Sequence, residues 1–311
     1  MLNTGGLIVA AGNFGKNERI TPFLKLGSVS VIRRIVMTLQ QANIKPIVVV
    51  TGYQALEIEQ HLAGCDVIFL RNEDYEHTDK FYSVKLGLEY MKDKCDKIIF
   101  TPVTIPTYTA ETVRKMIELN KQVVVPVHRG RRGHPLLISS ELVDDILEYK
   151  GEGGLNTAVR EVGGEGEYIE VEDRGVVLKA EQIEKWNESL EVDQLTHIHP
   201  FVRINLEKET SVFDSRARLL LTLIEEVKSV KGACKYMALS IGKAWSMINE
   251  LESALGYSVV NRRQGGKRGG QTCLTEEGRI FLEKYKAYEE VVRKYAYESF
   301  FDIFDEYRKN E

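Results

Sequence analysis

The sequence predicts two domains of different class: a three-layer α/β domain on a mostly parallel sheet, then a smaller helical domain carrying a β-hairpin. Three observations predict this. Apolar β-like runs alternate with amphipathic helical runs from the start to about residue 150, a pattern that places parallel strands between two layers of helices. Residues 232–275 instead read helix, break, helix, and then a glycine-rich hairpin. Charge also divides unevenly: residues 201–311 carry 19 Lys/Arg against 17 Asp/Glu, and the remainder carries 23 against 29. A chain of 311 residues is long enough for two cores.

In order, strands are expected at Leu7–Ala11, Pro46–Thr51, Val67–Leu70, Lys97–Phe100, Gln122–Val127 and Leu136–Ile138. Helices are expected near Val31–Ala42, Ala55–Leu62, Phe81–Met91, Ala110–Asn120 and Ser140–Tyr149. Ligands of such sheets bind beyond the carboxyl ends of the strands, which points to the loops after Val9, Phe100 and Val127. The loop Ala10-Ala11-Gly12-Asn13-Phe14-Gly15-Lys16 is small enough for its amides to approach a phosphate. The same residues equally suit a tight strand-to-helix turn. The loop Arg129-Gly130-Arg131-Arg132-Gly133-His134-Pro135 sets three guanidinium groups among glycines, which suits a phosphate-rich ligand.

The later stretch is more specific. Ser240 is placed to cap a helix over Ile241–Leu255, and Gly256 to end it. Ala244, Ile248, Leu251 and Leu255 form its apolar face. Two β-like runs, Ser258–Gln264 and Gln271–Leu274, flank Gly265-Gly266-Lys267-Arg268-Gly269-Gly270. This order describes a winged helix-turn-helix, with the second helix placed for a major groove and the wing for phosphates. From Lys231 to Thr275 there are seven cations and two anions, on a chain of net charge −4. A basic patch on an acidic protein is the electrostatic footprint of DNA binding.

These residues resemble the DNA-binding domain of ModE-type molybdate-responsive regulators. The matching residues are Ala238-Leu239-Ser240, Lys243-Ala244-Trp245, Ile248, Val260, Arg262-Arg263, the two glycine pairs, and Leu274-Thr275 with Gly278. The resemblance covers roughly residues 201–290 and implies a double-stranded operator as partner. It assigns DNA contacts to Ser240, Lys243, Trp245 and Ser246 on the helix and to Arg262, Arg263, Lys267 and Arg268 on the wing. The Leu-Thr-x-x-Gly ending is shared more widely, with LysR-type regulators among others.

The first domain resembles the MobA-like nucleotidyltransferases, which attach CMP or GMP to molybdopterin. The carriers are Val9-Ala10-Ala11-Gly12, Pro22-x-Leu24-x-Leu26-Gly27, Val50-Thr51-Gly52, Asn72, Ser83-x-x-x-Gly87 and the Arg129–Pro135 loop. The resemblance covers about residues 4–187 and implies a Rossmann-like nucleotidyltransferase fold. It implies a nucleotide, CTP or GTP with Mg2+, held by Ala10, Ala11, Gly12, Lys16, Lys25, Gly52, Asn72 and Ser83. It implies a molybdopterin-like ligand near Arg129, Arg131, Arg132, Gly133, His134 and Pro135.

The sequence departs from that family at charged positions. Lys16 stands for an arginine, Thr21 for a lysine and Thr104 for an aspartate, and in Lys179-Ala180-Glu181-Gln182 only Glu181 is acidic. Nucleotidyl transfer needs a divalent ion held by carboxylates at the attacked phosphate. A neutral threonine removes the main ligand, so no catalytic or metal residue is assigned. The first expectation is therefore a DNA-binding regulator linked to molybdenum-cofactor metabolism, its nucleotidyltransferase-like domain sensing a ligand. The alternatives are an active CTP or GTP:molybdopterin transferase with an appended DNA-binding module, and a structural dimer with neither site active.

The remaining features bound the organisation. The expected division is a transferase-like domain at residues 1–190, a linker at 191–200, and a DNA-binding and dimerisation domain at 201–311. His197-Ile198-His199 has no third metal-type residue beside it and reads as exposed linker histidines. Phe201–Leu206 is expected as an edge strand, and Asp214 as the cap of Arg216–Val227. A long helix to about Tyr307 carries Phe281, Tyr285, Tyr288, Val292, Tyr295, Phe300 and Phe304, a stripe that predicts a homodimer. Four scattered cysteines form no framework. No apolar run is long enough to span a bilayer, so a cytoplasmic protein without membrane contact is expected.

Overall fold

The computed structural model describes residues 3–12, 21–163, 166–180, 182, 200–262 and 271–304. The chain divides into two units, Met1–His197 and Ile198–Glu311.

The first unit opens with β1 (Thr4–Ala10), whose residues are almost all buried. A two-residue hairpin, β2 (Lys25–Leu26) and β3 (Val29–Ser30), leads into α1 (Val31–Gln41), capped by the Ser30 hydroxyl. Then come β4 (Ile47–Thr51), α2 (Ala55–His61), β5 (Ile68–Arg71), α3 (Lys80–Met91), β6 (Lys97–Pro102) and α4 (Ala110–Glu118). The unit continues with β7 (Val123–His128), β8 (Arg131–Arg132), β9 (Leu136–Ser139), α5 (Val143–Glu148), α6 (Gly154–Gly163) and β10 (Glu167–Glu170).

All of these strands but β2 and β3, which pair with each other, form one sheet in the order β10-β7-β9-β6-β1-β4-β5, with β8 paired to β7. β1 is parallel to β4 and β6, and β4 to β5. β9 runs antiparallel between β6 and β7. Continuous apolar strands such as Ile47–Thr51 are what a sheet covered on both faces requires.

The sequence reading locates the six expected strands to within three residues at either end, and the short β2, β3 and β8 carried no expectation. The expected helix Ser140–Tyr149 begins as a 3-10 turn at Ser140–Leu142. Helix α6 and strand β10 carried no expectation. β10 is a charged edge strand with Glu167 and Glu170 exposed, so it lacks the apolar alternation that marks a strand.

The second unit begins with β11 (Leu206–Glu207) and β12 (Ser211–Phe213). The edge strand expected at Phe201–Leu206 is not formed; residues 200–205 are irregular, and pairing starts only at Leu206. Three helices follow: α7 (Ser215–Val227), α8 (Val230–Tyr236) and α9 (Ile241–Leu255). The hairpin β13 (Val260–Arg262) and β14 (Thr272–Leu274) precedes α10 (Glu276–Ile303). The local caps are as the sequence predicts: Asp214 accepts from the Ala217 amide, Ser240 from that of Lys243, and Gly256 ends α9 in the left-handed region.

Two of the seven residues of the expected stripe, Phe281 and Tyr285, pack in their own core. Phe213 meets the rings of Phe281 and Tyr285 edge-on at 4.9 and 4.8 Å, and the Tyr285 hydroxyl donates to the Ile204 carbonyl. Tyr288, Val291, Tyr295 and Ile303 farther along α10 are exposed. Among the described residues no helix is long and apolar enough to cross a membrane.

Candidate functional site

At the carboxyl ends of β1, β4 and β5, three loops meet closely. A Cβ on Gly52 would lie 2.6 Å from the Ala11 carbonyl oxygen and 2.7 Å from the Tyr75 Cβ, so only glycine lets these segments touch. Ala10, Ala11 and Gly12 reach this edge as predicted. Asn72 and Ser83 join it, but as internal struts. The Asn72 amide donates to Ser83 Oγ at 3.0 Å and to Thr78 Oγ1 at 2.8 Å, and its Oδ1 accepts from the Asp74 amide. Both residues are buried, and their hydrogen bonds shape the turn after β5. Lys25 is exposed on the β2–β3 hairpin. Lys16 lies outside the described residues.

Beyond β6 the loop is overlaid by the segment that follows β10. The Ala180 amide donates to the Thr104 carbonyl at 2.8 Å. Asp173 anchors this segment. Its Oδ2 accepts from the Thr109 amide, the Thr109 hydroxyl and the Thr112 hydroxyl, and its Oδ1 from the Gly175 amide, all within 2.7–3.0 Å. A carboxylate with four donors is a structural cap at the start of α4. The described residues therefore do not fit a resident divalent ion here: Thr104 is neutral and Asp173 is occupied. Among them no cluster of three or more His, Cys, Asp or Glu is placed to hold a metal. Glu18 and Glu181 lie outside the described residues.

The arginine loop does not converge on one point. Arg129 and Gly130 both have positive φ and turn β7 into β8. In β8 successive side chains face opposite ways. Arg131 lines an open cleft of about 830 Å³ with His128, Arg129, Arg174 and Gln182. Arg132 lies over the Tyr168 ring at 4.5 Å and borders a separate cavity of about 190 Å³ with His134, Asn156 and Arg160. The His128 Nδ1 donates to the Val171 carbonyl at 2.9 Å, which fixes its tautomer.

Gly133 donates to the Pro126 carbonyl and His134 to that of Val176, so the Gly133-His134-Pro135 turn is itself a framework. Burial pushes the His134 imidazole down to about 4, so it is neutral near pH 7, and its Nδ1 is sealed without a partner. His128, Asp173, Arg174 and Tyr168 were not found from sequence. Only Asp173-Arg174-Gly175 carries a local signal, that of a side-chain-capped turn.

In the second unit, one carboxylate joins α9 to the hairpin. Glu252 Oε1 accepts from the Val259 and Val260 amides at 2.8 and 3.2 Å, and Oε2 from Arg262 at 2.6 Å. An acid in the last turn of a helix opposes the helix dipole, and that misplacement was the sequence signal for it. Arg262 is thereby tied down: its guanidinium also donates to Asn249 Oδ1 and lies 5.1 Å from the Trp245 ring. Lys243 is exposed, and the Ser246 hydroxyl donates to Glu250. Ser240 spends its hydroxyl on the cap. Arg263, Lys267 and Arg268 lie outside the described residues.

Comparison with known proteins bears on both units. A family model described as the MobA-like NTP transferase domain matches residues 6–166. A molybdenum transport protein ModE from Azotobacter vinelandii is 36% identical over 89 residues, covering 28% of this chain and 33% of that protein. A molybdenum cofactor cytidylyltransferase from Escherichia coli K12 is 25% identical over 134 residues, covering 42% of this chain and 67% of that protein. The chain thus spans about a third of the first relative's length. A solved structure from Mycobacterium sp. strain JC1, homologous to a Mycobacterium tuberculosis protein, superposes with a TM-score of 0.51 at 20% identity, covering 62% of this chain and 98% of that one. It shares the fold of the first unit. With just over half of its length matched by that model, the chain belongs to the family of the MobA-like NTP transferase domain.

Proposed function

We propose that the protein is a cytoplasmic DNA-binding transcriptional regulator linked to molybdenum-cofactor metabolism. Residues 201–311 act as a winged helix-turn-helix, and residues 1–190 as a ligand sensor on a nucleotidyltransferase scaffold. The observation that carries this reading is the unit built around α9. Ser240 caps the helix, Lys243 and Asn249 are left exposed on it, and Glu252 fixes the following hairpin to its side. That arrangement supports reading α9 as a recognition helix and the following hairpin as its wing. Similarity to a ModE protein and to a molybdenum cofactor cytidylyltransferase supports the metabolic link.

The DNA reading is tested by fluorescence anisotropy of the full chain with duplex from its own upstream region. Affinity should fall steeply with salt. Affinity independent of salt would sink it.

The exposed Tyr288, Val291, Tyr295 and Ile303 support pairing of α10 with a second copy. Removing the chain after Tyr288 is expected to give a monomer by light scattering, because the residues that pack on Phe213 are retained.

A second reading is an active CTP or GTP:molybdopterin transferase with an appended DNA-binding module. The convergence of Ala11, Gly52 and the turn after Asn72 at one sheet edge favours it, because close-packed loop backbone beyond the strand ends is where such sheets take a phosphate-bearing ligand. Incubation with CTP or GTP, Mg2+ and molybdopterin decides between the two. Product formation establishes the transferase; Mg2+-independent binding without product supports the sensor.

A further inference from the structure

Asn249 is not a symmetric hydrogen-bonding group in this protein. Arg262 donates to its Oδ1 at 2.7 Å. A guanidinium has only donors, so this contact fixes the amide with its oxygen toward the hairpin and its NH2 outward. Arg262 has further partners that favour this position. It is held at 2.6 Å by Glu252, whose other oxygen accepts two backbone amides, and it lies against Trp245.

A free asparagine presents one donor and one acceptor, the match for adenine in a major groove. Here the acceptor is consumed, and the outward group has donors alone. The base edge that offers two acceptors and no donor in the major groove is guanine, through N7 and O6.

The surrounding face supports close approach. Ala244, Ile248 and Leu251 are buried on the opposite side of α9, and Asn249 is exposed. Gly242 lies on the same outer face by helical spacing, and a Cβ added there would meet nothing within 4 Å. The outer face of α9 is thus unobstructed by the protein's own packing at Gly242.

We propose that α9 reads a guanine in each half-site through Asn249, with Arg262 as the positioning residue that sets its donor polarity. The proposal rests on the DNA-binding reading and adds to it the base that is recognised and the device that selects it.

The experiment is selection from a randomised duplex library by the full-length chain and by three variants, followed by anisotropy on the winning duplex. The wild type should select a G·C pair at one position of each half-site. Asn249→Ala should lose that preference by about fivefold or more while the other positions stay unchanged. Arg262→Ala frees the amide to turn, so adenine should become as acceptable as guanine. Arg262→Lys supplies another donor-only group and should restore the guanine preference.

In the selected duplex, 7-deazaguanine removes N7 and should weaken wild-type binding, whereas inosine keeps N7 and O6 and should bind as guanine does. An Asn249→Ala variant that selects the same sequence as wild type overturns the proposal while leaving DNA binding intact. Failure of the wild type to select any sequence, with no salt-dependent affinity, overturns both.

Discussion

Asp173 and Glu252 are the same chemical device in two regions with opposite results. Each carboxylate gathers several donors from segments distant in sequence. Asp173 ties residues 173–175 to the start of α4, in the same stretch whose Ala180 amide covers the Thr104 carbonyl. With both oxygens so occupied, the Asp173 carboxylate is not free for a cation. Glu252 ties the hairpin to α9 but leaves the outer face of that helix bare. Where a carboxylate spends its oxygens on internal donors alone, it acts as scaffold. Where a fixed donor is left pointing outward, the region is equipped for a partner.

Removing either carboxylate tests this contrast most strongly. Asp173→Ala and Glu252→Ala each strand several donors, which costs about 1–3 kcal/mol for each buried group left unpaired. Both variants should unfold at lower denaturant concentration. Only Glu252→Ala should also weaken DNA binding, by about tenfold or more, because the hairpin loses its register on α9. Equal loss of DNA affinity in both would erase the distinction.

A second test supplies what the first region lacks. Thr104→Asp with Thr21→Lys should make CTP or GTP binding depend on Mg2+, as measured by titration calorimetry with and without the ion, whereas the natural chain should show little dependence. Threonine offers a hard cation only a neutral hydroxyl. Strong Mg2+ dependence in the unaltered chain would show that a residue outside the described set has taken the role.

The wing gives a smaller effect. Lys267→Ala with Arg268→Ala should lower affinity for all duplexes alike and reduce the salt slope by about one unit per lost phosphate contact. An unchanged slope would place the wing away from DNA.

How far these regions were legible follows from where their partners lie. Asp214, Ser240 and Gly256 act on backbone within four residues of themselves, so their neighbourhood in sequence already contains their reason. Asn72 and Ser83 were read as ligand contacts because nothing in sequence shows that they bond each other. Arg131 and Arg132 were read as one phosphate cluster because adjacency in sequence hides the alternation of a strand. Asp173 acts on Thr109 and Thr112, more than sixty residues away, and no local pattern reports that. Of the stripe on α10, Phe281 and Tyr285 belong to their own core, because periodicity cannot tell a core partner from a second chain.

The smallest expected effect is on pH. Burial raises the Glu225 carboxyl, but Lys228, the Leu274 amide and Arg279 outweigh it and hold it at about 2. A carboxyl held below its unfolded value of about 4.3 stabilises the fold above that pH. The contribution is lost as pH falls from there through about 2. Glu225→Gln should therefore flatten the acid limb of the unfolding curve and leave stability between pH 6 and pH 8 with little further pH dependence.

The reversed strand β9 has a consequence for how this scaffold acquires ligand groups. In a wholly parallel sheet, each strand offers the working edge only the residues that follow it. β9 runs the other way, so it offers the residues that precede it. Phe100, near the end of β6, pairs with Leu136, the first residue of β9, and this brings His134 beside Phe100 with ring centres 5.8 Å apart. One change of direction thus supplies the working edge with a turn from the interior of the sheet, and no crossover helix is needed. A change in the length of the Arg129–Pro135 turn would then alter the chemistry of that edge while leaving every parallel pairing in place.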